Sequence, residues 1–185
     1  MMPSKAALCG HCLAQPPAYD RVYGLFAYAP PVNGLIKAFK FNQRLFLSRL
    51  FSQLMVEYMQ HQMAELPDLV IPVPLHRTRI RERGFNQALE LAKPICKKLD
   101  LSLTTRLVSR SVYRCPQSGL PAKQRISNIA GAFSVNSDVL PDHVLLVDDV
   151  MTTGATLNAL ATVLKSGGVR RVDALVLARS TGREK

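Results

Sequence analysis

The chain has 185 residues, 48% of them hydrophobic, and carries 24 lysines and arginines against 13 aspartates and glutamates, a net charge of +11. That length fits one domain, that hydrophobicity excludes a disordered chain, and no apolar run reaches the roughly 18 residues of a membrane span. The positive excess favours polyanionic partners, nucleic acid or a phosphorylated small molecule, and the lack of a signal-peptide core in MMPSKAALCGHC predicts a cytoplasmic protein.

Taken in chain order, the first feature is CGHC at 9–12. Cys9 and Cys12 form one C-x2-C pair, with His11 a conceivable third ligand, whereas a tetrahedral zinc site needs four. Residues 1–18 therefore read as the remnant of a longer zinc module, and 19–185 as the main domain. VYGLFAY (22–28) has strand composition and stops at Pro30-Pro31. LIKAFKF (35–41) is helical, with a break near Asn42. Leu47, Leu50, Phe51, Leu54, Met55 and Tyr58 then fall on one helical face. PDLVIPVP (67–74) is a short buried strand bracketed by prolines, and HRTRIRERGFNQ (76–87) interrupts it with charge. Its alternate arginines would line one face if the backbone were extended. Ala88, Leu91, Ala92, Ile95, Cys96 and Leu99 restore helical spacing, with Pro94 marking a kink or a later start. Cys96 belongs to the core, and Cys115 to a polar loop. Residues 114–128 form that loop, free of an apolar face. VLLVDDV (144–150) is a second buried strand. Leu157, Leu160, Ala161 and Leu164 mark the helix after it, closed by Gly167-Gly168. RRVDALVLARS (170–180) is the last strand. Strands alternating with helices predict an α/β domain, a mainly parallel twisted sheet with helices on both faces.

The chemistry concentrates in VLLVDDVMTTGATL (144–157). In open α/β sheets, ligands bind beyond the carboxyl ends of the strands, where Asp148 and Asp149 stand. Two like charges buried without partners are costly, so they are solvated or hold something. Carboxylates accept the two donors of a ribose diol. Thr152, Thr153, Gly154, Ala155 and Thr156 then let backbone N–H groups at a helix N-terminus approach a phosphate. A capping turn with surface aspartates is the bland alternative. Because neighbouring strand residues point to opposite faces, both acids serve one ligand only if the strand is already turning.

The stretch resembles the phosphoribosyl pyrophosphate-binding motif of type I phosphoribosyltransferases. VIPVPLHRTRIRERGFNQA (70–88), QSGLPAKQRISNIAGAF (117–133) and CGHCL are similar to the ComF/GntX-type, competence-associated members. The resemblance spans about residues 9 to 180 and implies the type I phosphoribosyltransferase fold with a small N-terminal hood. It implies that Asp148 and Asp149 hold the ribose hydroxyls and that Val150, Met151 and residues 152–156 enclose the 5′-phosphate. Val73, Pro74, Leu75, His76 and Arg77 would form the pyrophosphate loop. Lys123 and Arg125, with polar help from Gln117 and Ser118, would reach the leaving group from a closing lid, with Asp148, Asp149 and Arg77 completing the catalytic set. Mg²⁺ would arrive bridged by the substrate. Tyr28, Phe39 and Phe41 are stacking candidates for an acceptor base, or core. Arg83 could tie the loop to the next helix, and Asn86 and Gln87 could be caps. His76 could bear on the leaving group, whereas His143 belongs at the amino edge. The implied activity is transfer of phosphoribose to an unnamed nucleophile in nucleoside metabolism. The alternative is a non-catalytic module for DNA uptake, binding single-stranded DNA or competence machinery or sensing phosphoribosyl pyrophosphate. A homodimer fits either.

Overall fold

The computed structural model describes residues 14–41, 46–110, 132–137 and 139–180. Five strands, β1 (Arg21–Ala27), β2 (Leu69–Pro72), β3 (Ser102–Leu103), β6 (His143–Met151) and β7 (Arg171–Arg179), pair in the order β1-β7-β6-β2-β3. Every pairing among them is parallel. Two further strands, β4 (Val108–Arg110) and β5 (Phe133–Val135), form a separate antiparallel ribbon. The helices are α1 (Val32–Phe41), α2 (Phe46–Gln62), α3 (Arg77–Arg83), α4 (Gln87–Leu99) and α5 (Ala155–Ser166).

The central strands are apolar on both faces because both are covered. Leu145 and Val147 of β6 pack with Leu175 and Leu177 of β7 under α1, α2 and α4. Val144 and Leu146 pack on the other side with α5, through Leu157, Leu160 and Leu164, and with Phe133 of the ribbon. Gly167 stops α5, its N–H donating to the carbonyls of Val163 and Leu164. The expected parallel sheet with helices on both faces is present. Proline at position 94 does not delay α4, which runs through it from Gln87, and Cys96 is buried. Burial pushes its thiol up to about 11.

The run at 76–87 differs from the extended possibility: Arg77–Arg83 is helical. At 100° per residue, alternate arginines do not share a face. Arg77 and Arg81 fall together and are exposed, while Arg79 and Arg83 fall on the opposite side and are half-buried. Chain order places β2 and β3 to one side of the sheet and β6 and β7 to the other. The direction of winding reverses between β2 and β6, and their carboxyl ends flank the crevice where this architecture seats ligands.

Candidate functional site

Pro72 and Val147 are partners at the end of the β2–β6 ladder, and the Val73 N–H donates to the Val147 carbonyl. The chain after β2 therefore leaves the sheet beside Asp148. At that point the alternation of β6 slips. Asp149 follows the parity of Leu145 and Val147, yet Val150 also packs on their side and Met151 on the other. The side chains past the acidic pair no longer alternate strictly between the two faces, while β6 keeps its register with β7 through Met151.

The two acids meet different cations. Asp149 is buried and its Oδ1 lies 3.0 Å from Lys40 Nζ, in the last turn of α1. Asp148 is half-buried, and its Oδ1 accepts the Asp149 N–H at 2.8 Å. Burial pushes the Asp148 carboxyl up to about 7, and the Asp149 charge adds to the push. The Asp149 N–H, Lys40 and Arg110 pull it down. Arg110 ends β4 with its guanidinium 5.4 Å from the centroid of Phe133. Its Nε is buried without a hydrogen-bond partner among the described residues. Burial lowers the Arg110 pKa, the Asp148 charge raises it, and Arg79 lowers it.

After β6 the chain makes a turn in which Thr152 and Thr153 are exposed and Gly154 is buried. Gly154 adopts φ 75°, a left-handed conformation that side chains resist. A Cβ there would fall 2.6 Å from Met151 Cε and 3.1 Å from the Tyr19 hydroxyl oxygen. Gly154 is also the N-cap of α5 and supplies no side-chain cap. The first turn of that helix thus faces a cavity of about 40 Å³ bounded by Asp148 and residues 150–157. Thr153 Oγ1 accepts the Ala155 N–H at 3.4 Å. A helix N-terminus of this kind carries partial positive charge and suits an anion. The segment before β1 closes one side, with the Ala18 N–H on Asn158 Oδ1 at 2.6 Å.

On the β2 side, Val73 is buried, Pro74, Leu75 and His76 are half-buried, and Arg77 is exposed. His76 is the N-cap of α3, its Nδ1 accepting the Thr78 N–H at 3.2 Å. Asn86 is the N-cap of α4, accepting the Ala88 N–H at 3.0 Å. Its Nδ2 also donates to the Val73 carbonyl at 3.1 Å, so one side chain fixes both the loop and the helix. Arg83 donates to Gln87 Oε1 at 3.2 Å, tying α3 to α4. Arg79 is paired with Glu82 at 2.9 Å.

The structure brings Asp148, Asp149, residues 150–156 and the Val73 loop to one edge. Phe39 is fully buried against Phe51 and Phe85, so it is core and cannot stack on a ligand. Tyr28 packs against the same cluster. His143 stands at the amino end of β6, its Nε2 3.1 Å from Asp173. Cys9, His11, Cys12, Gln117, Ser118, Lys123, Arg125 and the Phe41 side chain lie outside the described residues. Sequence reasoning missed Lys40, Arg110 and Tyr19. Each lies far along the chain from the acidic pair, and no local pattern marks it.

The phosphoribosyl transferase domain family model matches residues 86–185. The chain is 37% identical over 180 residues to Competence protein F of Haemophilus influenzae, covering 93% of this chain and 78% of that protein. It is 34% identical over 176 residues to DNA utilization protein YhgH of Escherichia coli K12, with the same two coverages. Among solved structures, a purine phosphoribosyltransferase from Pyrococcus horikoshii aligns with a TM-score of 0.45 and 16% identity, over 86% of this chain and 79% of that one.

Proposed function

The chain belongs to the phosphoribosyl transferase domain family, in the branch of competence protein F, and from that premise we propose that it binds phosphoribosyl pyrophosphate at the carboxyl ends of β2 and β6. The reaction joins a nucleophile to C1 of the ribose. The C1–O bond to pyrophosphate breaks, and the bonding electron pair leaves with the pyrophosphate. The observation that carries this reading is the carboxyl end of β6. It sets Asp148 on the cavity at the N-terminus of α5, with Asp149 next to it in the strand and Gly154 supplying no side-chain cap.

In this reading Asp148 and Asp149 accept the ribose 2′- and 3′-hydroxyls, and the 152–156 turn takes the 5′-phosphate. The Val73–Arg77 loop receives the pyrophosphate, and Lys123 and Arg125 add positive charge to the leaving group. Arg110, half-buried and near enough to Asp148 and Arg79 for their charges to interact, adds positive potential where the leaving group gains charge. Magnesium would arrive with the substrate. Among the described residues no three His, Cys, Asp or Glu are grouped to hold a metal ion. When bound, it neutralises part of the leaving group's charge. Catalysis by the chain itself is then positional and electrostatic.

A second reading is favoured by the exposed pair Arg77 and Arg81 on α3 and by the names of the relatives, which concern competence and DNA utilization. Here the chain is a DNA-uptake module that binds single-stranded DNA, and the pocket only senses phosphoribosyl pyrophosphate. None of the described helices is long and apolar enough to cross a membrane. Pyrophosphate release from the substrate with a panel of bases and amines separates the two. Release that depends on one acceptor supports the enzyme. Binding without release, together with salt-dependent DNA binding lost in an Arg77→Ala/Arg81→Ala variant, supports the module.

A further inference from the structure

Lys40 is held where it is by the packing of its helix. Ile36 and Phe39 of α1 are fully buried, and the Phe39 ring meets Phe51 and Phe85 at 5.9 and 5.8 Å between centroids. The last turn of α1 therefore reaches over the carboxyl end of β6. The Lys40–Asp149 pair that results has side chains only 19% and 10% exposed. Exposed ion pairs contribute little because water and salt compete. A pair this sheltered binds strongly, and either partner left alone pays a desolvation penalty. Among the described residues, the groups bearing on the acidic pair are Lys40 from α1, Arg110 from β4, and each acid on the other. Arg79 from α3 bears on Arg110, and residues 150–157 contain no titratable side chain. Cations thus stand on two sides: Lys40 from α1, Arg110 from the ribbon.

We propose that Lys40 is a positioning residue for the ligand site: from α1 it orients Asp149 and supplies the positive charge that lets both acids of the pair meet a diol as carboxylates. The proposal rests on the reading of the pair as a ribose-diol site. A diol donates two hydrogen bonds and is best received by two acceptors. Burial and the neighbouring charge favour a proton on Asp148, and Lys40 opposes them. Docking of α1 and readiness of the acidic pair are therefore one event.

Two measurements test this on the full chain. In the ligand-free protein, the Asp148 carboxyl carbon followed by ¹³C NMR titrates at higher pH in Lys40→Gln than in the wild type, and Lys40→Arg returns it toward the wild-type value. An unchanged titration in Lys40→Gln overturns the proposal, whatever the ligand is. In calorimetry with phosphoribosyl pyrophosphate and Mg²⁺ between pH 5.5 and 9, wild-type affinity rises with pH and levels off. Lys40→Gln binds tenfold or more weakly at pH 7 and regains part of the loss at pH 9, and Lys40→Arg stays within a few fold of the wild type. The ligand's own phosphate titration is common to all three proteins and cancels. A loss of the same size at every pH, or no loss, overturns the proposal. If the wild type fails to bind at any pH while the NMR shift is as expected, the diol reading falls and the Lys40–Asp148 linkage stands.

Discussion

Asp148→Asn should stabilise the ligand-free protein while removing its ligand. The Asp148 carboxyl has an ordinary value of 3.8 and is pushed up to about 7 in the fold by burial and then by Asp149. Between those values the folded chain keeps a proton that the unfolded chain has released. Stability from this group is therefore fullest below about pH 4 and is lost as pH rises through about 7. At pH 8 the cost is about 4 kcal/mol if nothing relaxes, and about 2 kcal/mol once water reaching a half-buried group is allowed for. Asparagine keeps the acceptor for the Asp149 N–H, bonded to Asp148 Oδ1 in the wild type, and carries no charge. For a chain of this size, about 2 kcal/mol corresponds to a rise of about 4–8 °C in melting temperature. Thermal unfolding of both proteins at pH 4, 6 and 8 should show an advantage for the variant that is largest at pH 8 and shrinks toward pH 4. Calorimetry should show phosphoribosyl pyrophosphate binding weakened about 10-fold to 100-fold, the worth of one charge-assisted hydrogen bond. Equal melting at pH 8, or an advantage independent of pH, would refute the reasoning.

Three further outcomes follow from the same geometry. Asp149→Asn leaves Lys40 without its partner at 3.0 Å, so melting falls by a few degrees along with the loss of ligand. Gly154→Ala places a Cβ 2.6 Å from Met151 Cε at a positive φ. The left-handed backbone alone costs about 1–2 kcal/mol, so denaturant unfolding should show at least that loss, and binding of inorganic phosphate should weaken. Asn86→Ala removes the cap of α4 and the bond to Val73 and should cost about 1–2 kcal/mol in denaturant titration. It should weaken pyrophosphate binding more than ribose 5-phosphate binding, because the disturbed loop lies on the β2 side.

What sequence reveals here depends on how local each feature's cause is. β6 was legible because a strand buried on both faces is a continuous apolar run, and its end was legible because two carboxylates break that run. α5 and α2 were legible from helical spacing. Val108–Arg110 and Phe133–Val135 were not, since a three-residue strand has too few positions for alternation to register and their pairing joins segments more than twenty residues apart. The arginines at 77–83 invite an extended reading because their spacing is two. The helix that forms instead is stopped by Gly84 in the left-handed conformation and followed by the Asn86 cap, both of which are present in RGFNQ. Lys40 and Arg110 reach the acidic pair only through tertiary packing, so nothing in their neighbourhoods announces them.

The most direct test is a crystal structure of the chain grown with phosphoribosyl pyrophosphate and Mg²⁺. The account predicts ribose hydroxyls within hydrogen-bond distance of Asp148 and Asp149, and the 5′-phosphate against the N–H groups of residues 152–156. A sugar phosphate seated elsewhere, or an empty turn at millimolar ligand, would contradict it.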